Sequence, residues 1–562
     1  MTAFVGEYPH LTDRYPDLKT DGDLYSFKLR EEMRARAAAT YREQHAPPTL
    51  YLYDKNWAFV RFITGEIEGS FERSLLDTGE ASIKVFGDNP IVDYVLDGLR
   101  EEEDVHIRIE ASGIRWCGKA ATVEYSSEDT HDYVTIKFLH DYEHIKKIIC
   151  YANPLLPAEF QWPKHFMFAG PSIAGMRTMV FLNLLRRFGP LWALPENIFS
   201  ASSWRLNLDP NRWPIIVMPQ YNFFTDTSAW AIMSTRFGNA HDVMLPTARD
   251  AGVQITCERW FPGDPQPAPD HTTLTEPTLV IDFKDKSGVR GPTGTPLDGL
   301  FKTVSTILED GVSEVREIID PGAPPPEYGR PGFMGTVNTY PWVVFRHGQR
   351  TGLSGISSWK MTVHKPLAGA VLTGGKSPAW VNAGIKLLIN AVLGWLGMLF
   401  GNPALGIGIF DDQVEDVVLA FHRVPHVQRQ ALAGRGQYGE HWEAGGGTGF
   451  SLSALQSIRA GLWRTRAFTS YSLEVNNGAP YWVGKHFVEG DRIVADVMRN
   501  QDGRGDLYVD QVESIAVSWS RSQDTMCKVQ LGERGASDTP GAALSKQLEN
   551  VRTIIQALGV DS

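Results

Sequence analysis

Between Thr49 and Ile149 the chain breaks into seven short runs punctuated by glycine, and this pattern constrains the fold more than any other feature. The runs are Leu50–Tyr53, Trp57–Ile63, Glu66–Glu72, Ala81–Phe86, Val105–Glu110, Ile114–Tyr125 and Asp132–Leu139. Each alternates in part between apolar and polar residues, as an extended strand with two different faces requires. Gly65, Gly79, Gly87, Gly98, Gly113 and Gly118 fall at or near their ends. That spacing predicts a small antiparallel barrel or sandwich. A second β-like region spans 340–372, and a third runs from Tyr481 to Leu531 with Gly484, Gly490, Gly503 and Gly505 at its turns.

Helical patterns interrupt the strands. Ser26–Gln44 is rich in Arg, Glu and Ala and stops at Pro47-Pro48, because the residue before a proline is pushed out of the helical region. Met176–Phe188 ends at Gly189-Pro190, a common stop. Leu297–Ile319 carries one apolar stripe after Pro296: Leu297, Leu300, Phe301, Val304, Ile307, Leu308, Val312, Val315 and Ile319. Residues 262–276 hold no strand or helix pattern, and Pro321–Pro326 is a stiff linker. Ala542–Leu558 places Leu544, Leu548, Val551, Ile555 and Leu558 on one helical face. No internal repeat is present. The fold class expected is α+β, mainly β, and multidomain, with segments 1–48, 49–150, 151–320, 321–475, 476–535 and 536–562.

At 562 residues the chain is long enough for several cores. Apolar residues make up 43% and charged residues 21%, which excludes wholesale disorder. A net charge of −12 argues against broad capture of nucleic acid or anionic membrane. The four cysteines, Cys117, Cys150, Cys257 and Cys527, match no zinc spacing and no redox pair. They read as reduced structural residues, so synthesis in a reducing cytoplasm is expected. Residues 1–23 show no apolar signal segment.

Five motifs invite a function and each has a plainer reading. Ala370–Ser377 ends in Gly-Gly-Lys-Ser, close to a phosphate-binding loop, and Asp411-Asp412 follows an apolar run. Pro378 comes directly after the serine, where a phosphate-binding helix needs free N–H donors. His140, Asp141, Glu143 and His144 could form a metal cluster, but two histidines four apart with acids between them read as solvated surface. Glu101–Asp104 reads as a loop. Arg504-Gly505-Asp506 reads as a hairpin turn. Leu387–Phe410 contains no charge and approaches the ~20 residues that span a bilayer. Pro403 divides it, so a buried hairpin or oligomer core is the simpler outcome. No nucleophile elbow or zinc-protease motif occurs. The expectation is no catalytic residue, no cofactor, no metal and no enzyme.

Two regions carry a resemblance. Phe71–Phe86, Val105–Glu110, Ile114–Tyr125 and Tyr133–Phe138 resemble the first barrel of phage tail hub proteins, and Tyr481–Val494, Val509–Ile515 and Lys528–Gly532 resemble its later strands. The whole chain, including Gly374–Trp380, is similar to minor tail proteins of actinobacterial siphophages, the Gp37-like family. The resemblance implies a baseplate or tail-tip hub with small β-barrels at 49–150 and 476–535, joined by a mixed insertion and helical segments. It implies a homotrimer in the virion. Its partners would be the distal tail ring, the tape measure protein and tail fibres, with transient host-membrane contact through 380–410. A tail-associated cell-wall or polysaccharide hydrolase and a receptor-binding protein are the alternative readings.

Overall fold

The structure is a computed structural model. It describes residues 28–42 in part, 46–128, 131–162, 166–189, 208–219, 223–309, 318–319, 331–339, 341–346, 355–374, 421–442, 461, 465, 467–478, 481–497 and 506–532. The chain divides into two compact units. One comprises Met1–Lys360 with Ser472–Gly532, the other Met361–Tyr471 with Glu533–Ser562.

Seven strands form where the glycine-punctuated runs lie: β1 (Thr49–Tyr53), β2 (Phe59–Ile63), β3 (Glu68–Ser74), β4 (Glu80–Phe86), β5 (His106–Ala111), β6 (Ile114–Glu128) and β7 (His131–His140). The alternation does what it should. In β4, Ala81, Ile83 and Val85 are buried while Ser82 and Lys84 are only partly covered. All pairings among the seven are antiparallel. One element was missed between Gly87 and Gly98, the helix Pro90–Arg100. Its signals are local: Asn89 caps the amide of Ile91, proline opens the first turn, and Ile91, Val92 and Val95 are buried.

The expected barrel at each end takes a different form. The order of the large sheet is Ile356–His364, Phe468–Val475, Gln523–Leu531, Asp506–Ser520, β3, β4, β7, β6, β5, β1, β2. Among the described strands no barrel closes. Strands from the two ends of the chain share one ladder instead: Asp506–Ser520 pairs with β3, with Val517 opposite Phe71 and Trp519 opposite Gly69. The class is mainly β, as expected. A Cβ added to Gly69 would lie 2.3 Å from the Trp519 ring, and that indole is buried. Gly69→Ala is therefore expected to cost about 1–3 kcal/mol by overpacking. The check is the urea midpoint, and an unchanged midpoint would mean that the ring moves aside freely.

The insertion builds its own core. Val253–Trp260 runs antiparallel to Thr278–Asp285, which runs parallel to Ile215–Val217. Helices Ser172–Phe188 and Ala240–Ala251 bury Met176, Met179, Leu184, Met244 and Ala248 in the same core as Ile255, Leu279, Ile281 and Phe283. Of the helix expected over Leu297–Ile319, Pro296–Glu309 is helical and residues 310–317 lie outside the described residues. Ile318–Ile319 is a strand instead, opposite Tyr508 and Leu507. Leu297 and Leu300, placed on the apolar stripe, are exposed. In the second unit Ala370–Gly374 lies antiparallel to Phe421–Pro425 and parallel to His441–Trp442.

Candidate functional site

Three distant parts of the first unit meet at Arg73. The side chain comes from β3, on the same face as buried Phe71. From the strand Val253–Trp260, Glu258 reaches it on the face that also carries Gln254 and Thr256. Glu489 comes from the loop before the strand Arg492–Val497. Arg73 Nη2 donates to Glu258 Oε1 at 2.5 Å and to Glu489 Oε1 at 2.6 Å, Nε donates to Glu489 Oε1 at 3.0 Å, and Nη1 donates to the Arg115 carbonyl at 3.1 Å. The two glutamates hold the guanidinium in its charged form although burial opposes charge there. Glu489 is almost fully buried, whereas Glu258 is about half exposed.

The neighbouring side chains extend this joint. Arg115 follows the two-residue turn Ser112-Gly113 of the β5–β6 hairpin, where both residues have positive φ, 55° and 81°. A primed hairpin turn needs that geometry at both places, which is why glycine stands at the second. Arg115 clamps Asp264 with two bonds, 2.6 and 3.0 Å, in the fork-to-fork arrangement that adds both strength and direction. Lys286 pairs with Asp491. Arg73, Arg115, Glu258, Glu489 and Lys286 line a cavity of about 260 Å³, together with Lys284 and Gln254. Chemically the two cavity glutamates are engaged by Arg73, so neither stands ready as an acid–base pair. The arrangement ties strands together.

A second buried cluster lies where the sequence raised a metal site. Among the described residues, His140, Asp141, Glu143 and His144 do not form a group that could hold a metal ion. Asp141 and Arg259 pair with both side chains wholly buried, and Arg259 Nη2 lies 3.4 Å from His106 Nδ1. The guanidinium also sits 4.6 Å from the Trp57 ring. His140 Nδ1 accepts the Tyr142 amide at 3.2 Å, and its ring packs 5.4 Å from that of Trp116. Glu143 turns away to accept from Thr78 at 2.7 Å and to pair with Lys146 and Lys147. The expectation of solvated surface therefore fails for His140 and Asp141: Arg259, 118 residues away, pairs with the buried Asp141 carboxylate, while His140 is buried against Trp116 with the Tyr142 amide donating to it. Among the described residues no group of three or more His, Cys, Asp or Glu could hold a metal.

Electrostatics in this cluster follow from burial. Burial, with the Arg259 charge adding to it, pushes His106 down to about 3. Burial and Arg73 do the same to His140. His144 is lowered as well, by burial first. Asp141 is held below the usual carboxylate range, because Arg259 and the surrounding histidines outweigh the burial that would raise it. Burial pushes the thiols of Cys117 and Cys150 up to about 12 and that of Cys527 to about 11. All four cysteines are buried free thiols.

The remaining motifs resolve as follows. Ala370–Gly374 is a strand in the second unit, and Gly375–Ser377 and Asp411-Asp412 lie outside the described residues. Glu103 pairs with Lys55 and Asp104 with Lys119, beside the helix Pro90–Arg100. Asp506 opens a strand and pairs with Val497, while Arg504 and Gly505 lie outside the described residues. The apolar segment 387–410 and the helix expected at 542–558 lie outside them too. Among the described residues no helix is long and apolar enough to cross a membrane. Sequence reasoning singled out neither Arg73, Glu489 nor Arg259. The one local signal was a charge inside a strand pattern, as in Val253-Gln-Ile-Thr-Cys-Glu-Arg-Trp260.

Comparison with known proteins places these features. The family model described as "Siphovirus ReqiPepy6 Gp37-like protein" matches residues 49–533. Minor tail protein Gp28 of Mycobacterium phage L5 is 26% identical, over 95% of this chain and 98% of the relative. Minor tail protein Gp28 of Mycobacterium phage D29 is 27% identical, over 90% and 94%. Among solved structures, a tail protein from Neisseria meningitidis MC58 aligns over 87% of this chain and 97% of its own, with 8% identity and a TM-score of 0.37. A likeness at that score is weak and settles neither fold nor function.

Proposed function

Because the chain belongs to the Siphovirus ReqiPepy6 Gp37-like protein family, we propose that it is a minor tail protein forming the hub of a phage tail tip. The observation that carries this reading is the sheet that joins the two ends of the chain, closed over by Arg73, Glu258 and Glu489. A hub bears load between neighbours. Strands from both termini held in one ladder, and cross-tied to the insertion by buried charge, suit that task. In this reading the shared sheet of the two strand regions forms the body of the hub, three copies close into a ring, and the ring contacts the distal tail, the tape measure protein and fibres. It takes part in host attachment and DNA delivery, with the apolar segment 380–410 contacting the host membrane transiently.

The hydrolase alternative gains no support from the cavity, since a glycosidase needs two carboxylates free to donate and accept protons and Glu258 and Glu489 are both bound to Arg73. The hub reading is tested by quantitative mass spectrometry of purified particles together with antibody labelling. A few copies per particle, all at the tip, are expected. Labelling along the whole tail, or absence from the particle, would overturn the proposal.

A further inference from the structure

Strand β2 is the last of the large sheet. It pairs with β1, Leu50 opposite Ile63, Tyr51 opposite Phe62 and Tyr53 opposite Phe59. No described strand lies on its other side, so one row of its backbone groups has no ladder partner among the described residues. Native sheets protect such an edge with charge, proline or a covering segment. Here Phe59 is 51% exposed, Phe62 52% and Val60 36%. Arg61 is the only charge on the strand.

The exposed rings are fixed in advance. A register slip at Leu52/Tyr53 sets both phenylalanines on the face of Tyr51 and Tyr53. Phe59 and Phe62 stand 5.1 Å apart, Tyr51 is 5.1 Å from Phe62, and Tyr53 stacks on Phe261 at 4.9 Å. The Arg108 guanidinium caps Tyr51 at 4.2 Å. Rings already ordered lower the entropy that docking must overcome.

We propose that β2 is the docking edge for an extended segment of a different polypeptide, with apolar side chains over Phe59 and Phe62 and a carboxylate opposite Arg61. The open ladder selects a strand, and the charge selects which one. A second copy pairing over the whole strand about a two-fold axis would set Arg61 against Arg61, and like charges directly opposite destabilise. The inference rests on the reading of the chain as a tail component, the partner being another protein of the same particle.

The experiment is photo-crosslinking in intact particles, with benzoylphenylalanine in place of Phe62. An adduct with a different polypeptide is expected. Arg61→Glu should lower its yield by about fivefold and Arg61→Lys should keep it, with near-UV circular dichroism confirming the fold of each variant. An adduct between two copies of this chain, no adduct in particles that contain it, or a yield indifferent to Arg61→Glu each overturns the proposal. Particles lacking the chain altogether would instead sink the tail reading, and this docking edge with it.

Discussion

Lowering the pH from 7 to 5 is expected to remove about 4 kcal/mol of stability from the first unit, through His106 and His140. Both side chains are buried, and both are held near 3 in the folded chain, first by burial and then by the charges of Arg259 and Arg73 respectively. In the unfolded chain an imidazole titrates near its ordinary 6.5. The folded pKa is the lower one, so between pH 6.5 and about 3 the unfolded state binds more protons. The stabilisation is complete above the unfolded value and drains away as pH falls through that window, by about 2 kcal/mol per histidine at pH 5. Asp141, lowered too, adds its loss only further down, below the ordinary carboxylate value of 3.8. The measurement is urea unfolding at pH 7 and pH 5, followed in the near-UV, for the native chain and for His106→Gln/His140→Gln. The double variant should lose most of the pH dependence whatever its absolute stability. An equal pH shift in both proteins would refute the assignment.

Of these two histidines, His140 is one whose surroundings a local reading misjudges, and the reason is general. Ile83 and Val85 could be placed inside and Lys84 outside from alternation alone, because a strand face is a property of neighbours in sequence. The first seven strands were legible on this basis. The helix Pro90–Arg100 was legible in principle, from Asn89-Pro90 and the spacing of Ile91, Val92 and Val95, but glycine punctuation drew the reading towards strands. What no local pattern carries is partnership over distance. Asp141 resembles surface until Arg259 is paired with it, and His140 until Trp116 is packed on its ring. Phe71 and Val517 belong to strands from opposite ends of the chain, and only the ladder reveals that they face each other. Ile319 continued a helical stripe, and the strand Ile318–Ile319, paired with Tyr508 and Leu507, overrode it. The candidate site is built entirely of such long-range pairings, so the sequence contained its residues without marking them.

Removing Arg73 tests whether that joint is what holds the ends of the chain together. In Arg73→Met the methionine fills much of the same space, but Glu489 keeps a carboxylate that is 6% exposed with its cation gone. Breaking a buried ion pair from one side costs about 3–5 kcal/mol, because a charge is left without compensation. Glu258 behaves differently. At 44% exposure it returns to water, so Glu258→Gln should cost about 1 kcal/mol or less. The contrast between the two glutamates is the informative part. If uncompensated charge is the cause, Arg73→Met/Glu489→Leu should recover most of the loss, since replacing both partners by apolar groups avoids the desolvation penalty. If Arg73 acts mainly through its 3.1 Å bond to the Arg115 carbonyl, the double variant should be no better than the single one. Urea midpoints of the native chain and the three variants separate these outcomes. Hydrogen exchange across Asp506–Ser520 adds the location, 416 residues along the chain being all that separates Arg73 from Glu489 in sequence. Loss of protection there in Arg73→Met, and its return in the double variant, would establish that one buried guanidinium couples the terminal strands to the insertion.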